Sequence, residues 1–362
     1  MIENYEAPPR QRIKGRASLA NETPRFEPNT RVNIHDGWDL VDDDLPVLRT
    51  EVRKERVRTA INRVKSPDLP FDRSLNPYRG CEHGCIYCFA RPSHAYLNLS
   101  PGLDFETRLI ARPNMAEVLE GELRARRYKV APMAIGSNTD PYQPIEKEYE
   151  IMREILDVLA RFNHPVAIVT KGNLIERDID ILAPMAAKGL VRVGISVTSL
   201  DRDLSRKLEP RVPAPARRLR TIQRLSEAGI PVRAMVSPMI PGLTDHELEN
   251  IMQACKDAGA TAASWIMLRL PREVSPLFQA WLAEHYPAKV EKVMGKLRDM
   301  HGGKEYSADW NKRMRGEGPY ADLLSARFRQ ACARLRISEN AADLRCDLFE
   351  VPLESGRQMA LF

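Results

Sequence analysis

The 362-residue chain contains no apolar run approaching the roughly 20 residues that a membrane-spanning helix requires. With 29% charged residues and 27 prolines spread along it, a membrane protein is not expected. The first thirty residues also lack the apolar segment of a secretory signal. Cysteine is scarce, six in all, and a chain of this length buries a core large enough to need no disulfide staples. The expected location is therefore cytoplasmic and reducing, where clustered cysteines are metal ligands or catalysts more often than disulfides. Charge of one sign is scarce too. Lys+Arg at 55 against Asp+Glu at 49 leaves +6, a diffuse excess that only leans toward a polyanionic partner. No internal repeat is present, and no Gly-x-Gly-x-x-Gly turn follows the first strand, which argues against an open dinucleotide-binding sheet.

What is present changes character along the chain. Residues 1–72 read as an N-terminal arm: up to about Val47 they carry Pro8-Pro9, scattered Arg and Lys, and the run Asp42-Asp43-Asp44 with no sustained apolar period, so an irregular segment able to wrap the domain is expected. Alternation begins over Val57 to Val64, and Ser74 to Gly80 reads as a short strand running into a loop. Apolar runs at Met133 to Gly136, Val166 to Thr170, Val191 to Val197, Val232 to Val236 and Ala262 to Leu268 predict further strands. Between them lie helical patterns at Met115 to Arg127, Tyr149 to Phe162, Ile179 to Ala187, Arg217 to Ala228 and Asp245 to Ala258, the last with Thr244 as N-cap.

Strands alternating with helices imply a parallel sheet wrapped by helices. Six strands over residues 73–270 predict an α/β fold, a partial (β/α)6 TIM-like barrel, followed by a helical C-terminal extension over 271–340 and a tail over 341–362. In such barrels the active site sits at the C-terminal ends of the strands. Ser137, Thr139, Asp140, Lys171, Ser196 and Ser199 all lie at or near those ends.

The chemistry is concentrated in Cys81-Glu-His-Gly-Cys85-Ile-Tyr-Cys88, a Cys-x3-Cys-x2-Cys loop directly after the first barrel strand. Three thiolates within eight residues make a soft-ligand site suited to zinc or an iron-sulfur cluster. A structural zinc site wants a fourth ligand, and beyond His83 or His94 the next cysteine is Cys255. Three ligands on a four-iron cluster instead leave one iron open for substrate. The spacing favours iron and sulfur. The rival is a zinc-stabilised nucleic-acid-binding protein without catalysis.

The loop, its position and the aromatic residues Tyr87 and Phe89 resemble the radical S-adenosylmethionine (SAM) superfamily. Asn76-Pro-Tyr-Arg-Gly-Cys-Glu-His-Gly-Cys-Ile-Tyr-Cys-Phe-Ala-Arg91 is similar to the spore photoproduct lyase-like, DNA repair photolyase-like branch, over roughly Ser74 to Leu270. The resemblance implies a [4Fe-4S] cluster on Cys81, Cys85 and Cys88 that cleaves SAM to a 5′-deoxyadenosyl radical, which then abstracts hydrogen from a substrate. It implies SAM contacts from Phe89, from Thr139 with Ser137, from Lys171 and from Ser196. It further implies an electron donor such as flavodoxin or ferredoxin, and DNA or another nucleic acid as partner. The lyase's second-strand cysteine, which returns hydrogen to the product radical, has no counterpart in Gly136 to Asp140, and this argues against spore-product repair.

Cys255 and Cys332 share helical faces with apolar neighbours and read as core, Cys346 is open between spare thiol and hydrogen donor, and His83 reads as loop-shaping. Arg202 to Arg224 is rich in arginine, either a solvated face with ion pairs or a phosphate-contacting rim above the barrel with Arg211 or Glu209 near the SAM ribose. The C-terminal Gln358-Met-Ala-Leu361-Phe362 resembles the peptide by which bacterial repair proteins dock on the sliding clamp.

Overall fold

The computed structural model describes residues 13–28, 48–341 and 343–353. Among the described residues ten strands fall into two sheets: β1 (Glu51–Lys54), β2 (Asn62–Arg63), β3 (Arg73–Leu75), β4 (Tyr78–Arg79), β5 (Arg108–Ala111), β6 (Met133–Ile135), β7 (Val166–Thr170), β8 (Val191–Ser196), β9 (Val232–Met239) and β10 (Ala262–Met267). The larger sheet runs β10-β9-β8-β7-β6-β3-β2. Its six strands β3 and β6 to β10 are parallel in chain order, and β2 pairs antiparallel with β3 at one edge. This is the expected partial barrel.

Parallel strands covered on both faces need apolar residues nearly throughout, and Val191, Val193, Ile195 and Val232 are buried accordingly. The helix Ile151–Arg161 shows why the helical layer was legible. Ile151, Ile155, Leu156 and Leu159 repeat at helical spacing and all are buried. It starts at Ile151 and not at Tyr149 because Glu150 takes a left-handed φ of 50° that separates it from the turn before.

Elsewhere backbone chemistry overrides the pattern. Ser74 to Gly80 is not one strand: Pro77, without an N–H, separates β3 from β4, and β4 joins β5 and β1 in a second, three-stranded sheet. Thr244 does not cap its helix. Its hydroxyl accepts from the Ile240 amide at 2.9 Å, and a short 3-10 turn precedes the helix Leu248–Asp257.

The barrel's edge strands β10 and β2 are not paired with each other. The segment 301–318 spans the gap. At the β10 side the Met267 amide donates to the Met314 carbonyl at 2.8 Å. At the other side Arg313 donates to Asp68 at 2.7 and 2.6 Å and to Ser66 at 2.6 Å, in the loop before β3. The Arg313 hydrogen bond is the main reason the Asp68 carboxyl is held down at about 2.

The described part of the tail packs back onto the barrel. Glu350 N donates to the Phe162 carbonyl at 3.1 Å, and the Phe349 ring meets Tyr128, Phe162 and His164. Gln358, Leu361 and Phe362 lie outside the described residues. His164 is fully buried, 2.7 Å from the Tyr128 hydroxyl, and burial, helped by the Arg73 charge, pushes its pKa down to about 4. A depressed folded-state pKa means stability that is complete above the unfolded value near 6.5 and lost as pH falls through about 4. The loss expected from this group is about 3 kcal/mol. Urea midpoints measured from pH 7 to pH 4 should fall more steeply for the wild type than for His164→Gln. Parallel curves would assign the acid sensitivity to another group.

Candidate active site

The cysteine loop leaves β4 and folds into tight turns, with Gly84 N on the Cys81 carbonyl and Cys88 N on the Cys85 carbonyl, both at 3.2 Å. Its shape is set from behind by Arg91, which is completely buried. Arg91 Nε donates to the Cys85 carbonyl at 3.0 Å, and Nη2 to the Gly84 carbonyl at 3.1 Å and to Glu106 Oε1 at 2.6 Å. Nη1 holds the carbonyls of Pro101 and Gly102 at 3.0 and 2.9 Å. Every N–H of the guanidinium is therefore used. Glu106 also accepts the Ala17 and Ser18 amides at 3.2 and 3.0 Å, so the N-terminal arm is fastened to the same carboxylate. Gly84 is required here: its φ is +67°, and a Cβ would fall 2.8 Å from Glu106 Oε2.

The three thiols border one cavity of about 180 Å³. The other walls come from the C-terminal ends of the barrel strands: Lys171 after β7, Ser196 ending β8, Met235 and Ser237 on β9, Ile266 and Met267 on β10, and Arg269 just beyond. Burial raises the pKa of all three thiols. Burial works against the Lys171 charge, but Cys85, Glu209 and Asp140 outweigh it and leave its pKa raised.

Two carboxylates, Asp140 at the cavity wall and the buried Glu209, organise this end of the barrel. Asp140 accepts from Thr170 Oγ1 at 2.6 Å and from the Lys171 amide at 2.8 Å, with His83 Nδ1 at 3.3 Å. Burial would raise its pKa, yet the His83 charge and these hydrogen bonds hold it at about 2. Glu209 takes hydrogen bonds from the Tyr87 hydroxyl and, at 2.8 Å, from Thr198, and Arg218 Nη2 lies 2.7 Å away. Lys171 Nζ sits 5.8 Å from the centre of the Tyr87 ring, which these groups fix. At the mouth, Arg269 lies over Phe89 at 4.8 Å and donates to the Tyr306 hydroxyl at 3.3 Å.

The structure thus brings together Cys81, Cys85, Cys88, Phe89, Lys171 and Ser196. It does not bring Ser137 or Thr139 to the cavity wall. Thr139 is buried and donates to the Tyr78 carbonyl at 2.9 Å, while Asn138 and Asp140 take the wall positions. The reason is the turn at Gly136, φ +85°, which re-aims the residues after β6. Glu209 is buried beneath Tyr87 and does not line the cavity, and Arg211 pairs with Glu82 at 2.8 Å in a neighbouring groove. His94 turns away too, with Nε2 2.9 Å from the Arg108 carbonyl. Cys255 and Cys332 are buried in helices, as their spacing indicated. Sequence reasoning missed Arg91, the Glu209–Arg218 pair and Arg269.

The donor set at the cavity is three thiols, the soft ligands that zinc and iron-sulfur clusters both take. Among the described residues no three His, Cys, Asp or Glu side chains are already gathered around a single-ion position.

Fold, strand-end cavity and thiol loop together define a class. The radical SAM superfamily model matches residues 75–255, and the chain belongs to that superfamily. It is a radical SAM enzyme. An uncharacterized protein of Mycobacterium tuberculosis is 39% identical over 238 residues, covering 65% of this chain and 70% of its own. Another, from Methanocaldococcus jannaschii, is 26% identical over 250 residues, covering 68% and 88%. Spore photoproduct lyase complexed with dinucleoside spore photoproduct shares the fold at a TM-score of 0.52 and 14% identity, over 78% of this chain and 79% of that one. Among the described residues no helix is long and apolar enough to cross a membrane.

Proposed function

We propose that Cys81, Cys85 and Cys88 hold a [4Fe-4S] cluster, that Lys171, Phe89 and Ser196 bind SAM beside it, and that the same cavity admits an organic substrate. The observation that carries this is the convergence of three thiols, a half-buried cation and an aromatic ring on one cavity at the strand ends. When bound, the cluster and SAM supply a 5′-deoxyadenosyl radical that removes a hydrogen atom from the substrate.

The chain's own residues position and exclude. Lys171 offers a fixed point charge to a carboxylate. Asp140 holds the Lys171 backbone in place, and Glu209 with Tyr87 holds the space beneath its side chain. Val169, Met235, Ile266 and Met267 give the cavity apolar walls that keep water from a reactive species. Among the described residues no cysteine beyond the three borders the cavity, which supports a reaction without a thiol that returns hydrogen to product. An electron enters from a small carrier protein such as flavodoxin or ferredoxin.

Anaerobic reconstitution with iron and sulfide, then dithionite and SAM, should yield 5′-deoxyadenosine. A protein that binds a single tetrahedral zinc and leaves SAM intact would return the zinc-stabilised, non-catalytic reading. Lys171→Ala should retain the cluster's visible absorbance while SAM affinity falls by roughly 2 to 5 kcal/mol, the usual cost of truncating one partner of a desolvated charge pair. Equilibrium dialysis with labelled SAM measures it, and an unchanged Kd removes Lys171 from the site.

A further inference from the structure

The two strands that bring Ser196 and Met235 to the cysteine cavity each carry an arginine near their other end. Side chains alternate between the two faces of a strand, so Arg192 and Gly194 share a face with Ser196 on β8, and Arg233 shares one with Met235 on β9. Both arginines therefore point into the barrel at its N-terminal mouth, the end away from the thiols. In register beside Arg192 stands Ala167 of β7, followed by Ala134 of β6 and Ser74 of β3. None of these can balance a charge.

The tail crosses under this mouth. Ser338 N donates to the Thr261 carbonyl at 3.1 Å, and the Ser338 carbonyl accepts from Ala263 N at 2.8 Å, where β10 begins. Arg345 N donates to the Gly189 carbonyl at 3.0 Å, just ahead of β8. Between the tail and the strand ends lies a cavity of about 460 Å³, within the roughly 300–1,000 Å³ of small-molecule sites. Arg192, Arg233, Asn340 and Asp343 border it, and Asp343 is its one carboxylate among the described residues. Arg233 Nη2 donates to the Glu339 carbonyl at 2.9 Å, while its buried Nε has no hydrogen-bond partner among the described residues. Burial lowers the pKa of both arginines. The Asp343 charge offsets this at Arg192, whereas at Arg233 the Arg192 charge adds to it. One carboxylate does not balance two neighbouring cations that are costly to bury.

We infer that this cavity is a second ligand site, which holds a phosphoryl group between Arg192 and Arg233. It lies at the opposite end of the barrel from the cysteine loop and is independent of the chemistry proposed there. A guanidinium presents a planar fork to paired oxygens. A carboxylate, with two oxygens, fills one fork. A phosphoryl group has three oxygens and about two negative charges at neutral pH, and so serves both arginines. The apolar borders Pro231, Val232 and Ala262 leave room for an organic part beyond the phosphate.

Isothermal titration calorimetry of the full chain at constant ionic strength, with sodium phosphate, ribose 5-phosphate and ribose as ligands, tests this. Both anions should bind and ribose should not. Equal affinities for the anions would place free phosphate in the site and a tighter sugar phosphate would place an ester there; either supports it. Arg233→Gln should weaken anion binding about tenfold, the usual effect of removing one charged hydrogen-bonding partner. Asp343→Asn is the sharper variant. It removes a carboxylate that competes with the ligand for Arg192, so phosphate should bind severalfold more tightly. If the arginines serve only to hold the tail, that substitution lowers the thermal midpoint and leaves anion affinity unchanged, and the inference fails. No heat from either anion at millimolar concentration, or equal affinities in wild type and Arg233→Gln, also overturns it.

Discussion

Alanine at Cys81, Cys85 or Cys88 is expected to abolish the broad visible absorbance of the reconstituted protein, whereas Cys255→Ala and Cys332→Ala keep it. The three thiols border the cavity; the other two are packed in helices with apolar neighbours. On the proposed reading a cubane would take all three thiolates, with one iron left for SAM, and two thiolates would not hold it. The effect is all-or-none in cluster content and small in fold, since alanine in place of a cavity-lining thiol removes little packing. Circular dichroism of the variants should match the wild type. Full absorbance in Cys85→Ala would show that another group ligates the metal.

Arg91→Ala should be nearly as damaging with every thiol intact. Arg91 spends its donors on four loop carbonyls and on Glu106, all inside the protein. Removing one member of a buried ion pair leaves the other unpaired, at a cost of about 3–5 kcal/mol, and here two of the freed carbonyls, those of Gly84 and Cys85, belong to the turns that aim Cys85. Arg91 is a positioning residue, so two readouts are needed. Iron per chain should fall to a small fraction of wild type, and the urea midpoint should drop. Arg91→Lys keeps the charge but not the fork and should fall between, recovering stability more than iron. Wild-type iron content in Arg91→Ala would mean that the loop holds its shape unaided.

These two experiments also mark what the sequence made legible. The cysteines stood out because their chemistry is local, three thiols within eight residues. Lys171 and Ser196 were found because each ends an apolar run, and strand ends face the active end of such a barrel. Arg91 was invisible because its meaning lies in Glu106 and in backbone carbonyls that no pattern marks. Glu209 was misplaced for a related reason: only the fold reveals that Tyr87 and Arg218 enclose it. Thr139 failed at a finer level. Once β6 ends and Gly136 turns, the two-residue alternation is lost, and neighbouring side chains can no longer be assigned to wall or core. The small sheet escaped because β1, Glu51-Val-Arg-Lys54, has only one apolar residue and is held by backbone pairing to β5.

The segment that hooks Arg313 onto Asp68 changes the topology of access. A six-strand barrel with a free side accepts a molecule laid against that side; one whose side is latched behaves as a ring. Whatever reaches its centre must be threaded from the end or turned inward as a protruding piece: a free small molecule, the tip of a loop, one base swung out of a strand. The Arg313 hydrogen bond holds the Asp68 carboxyl down at about 2, so ordinary acidity does not undo the latch.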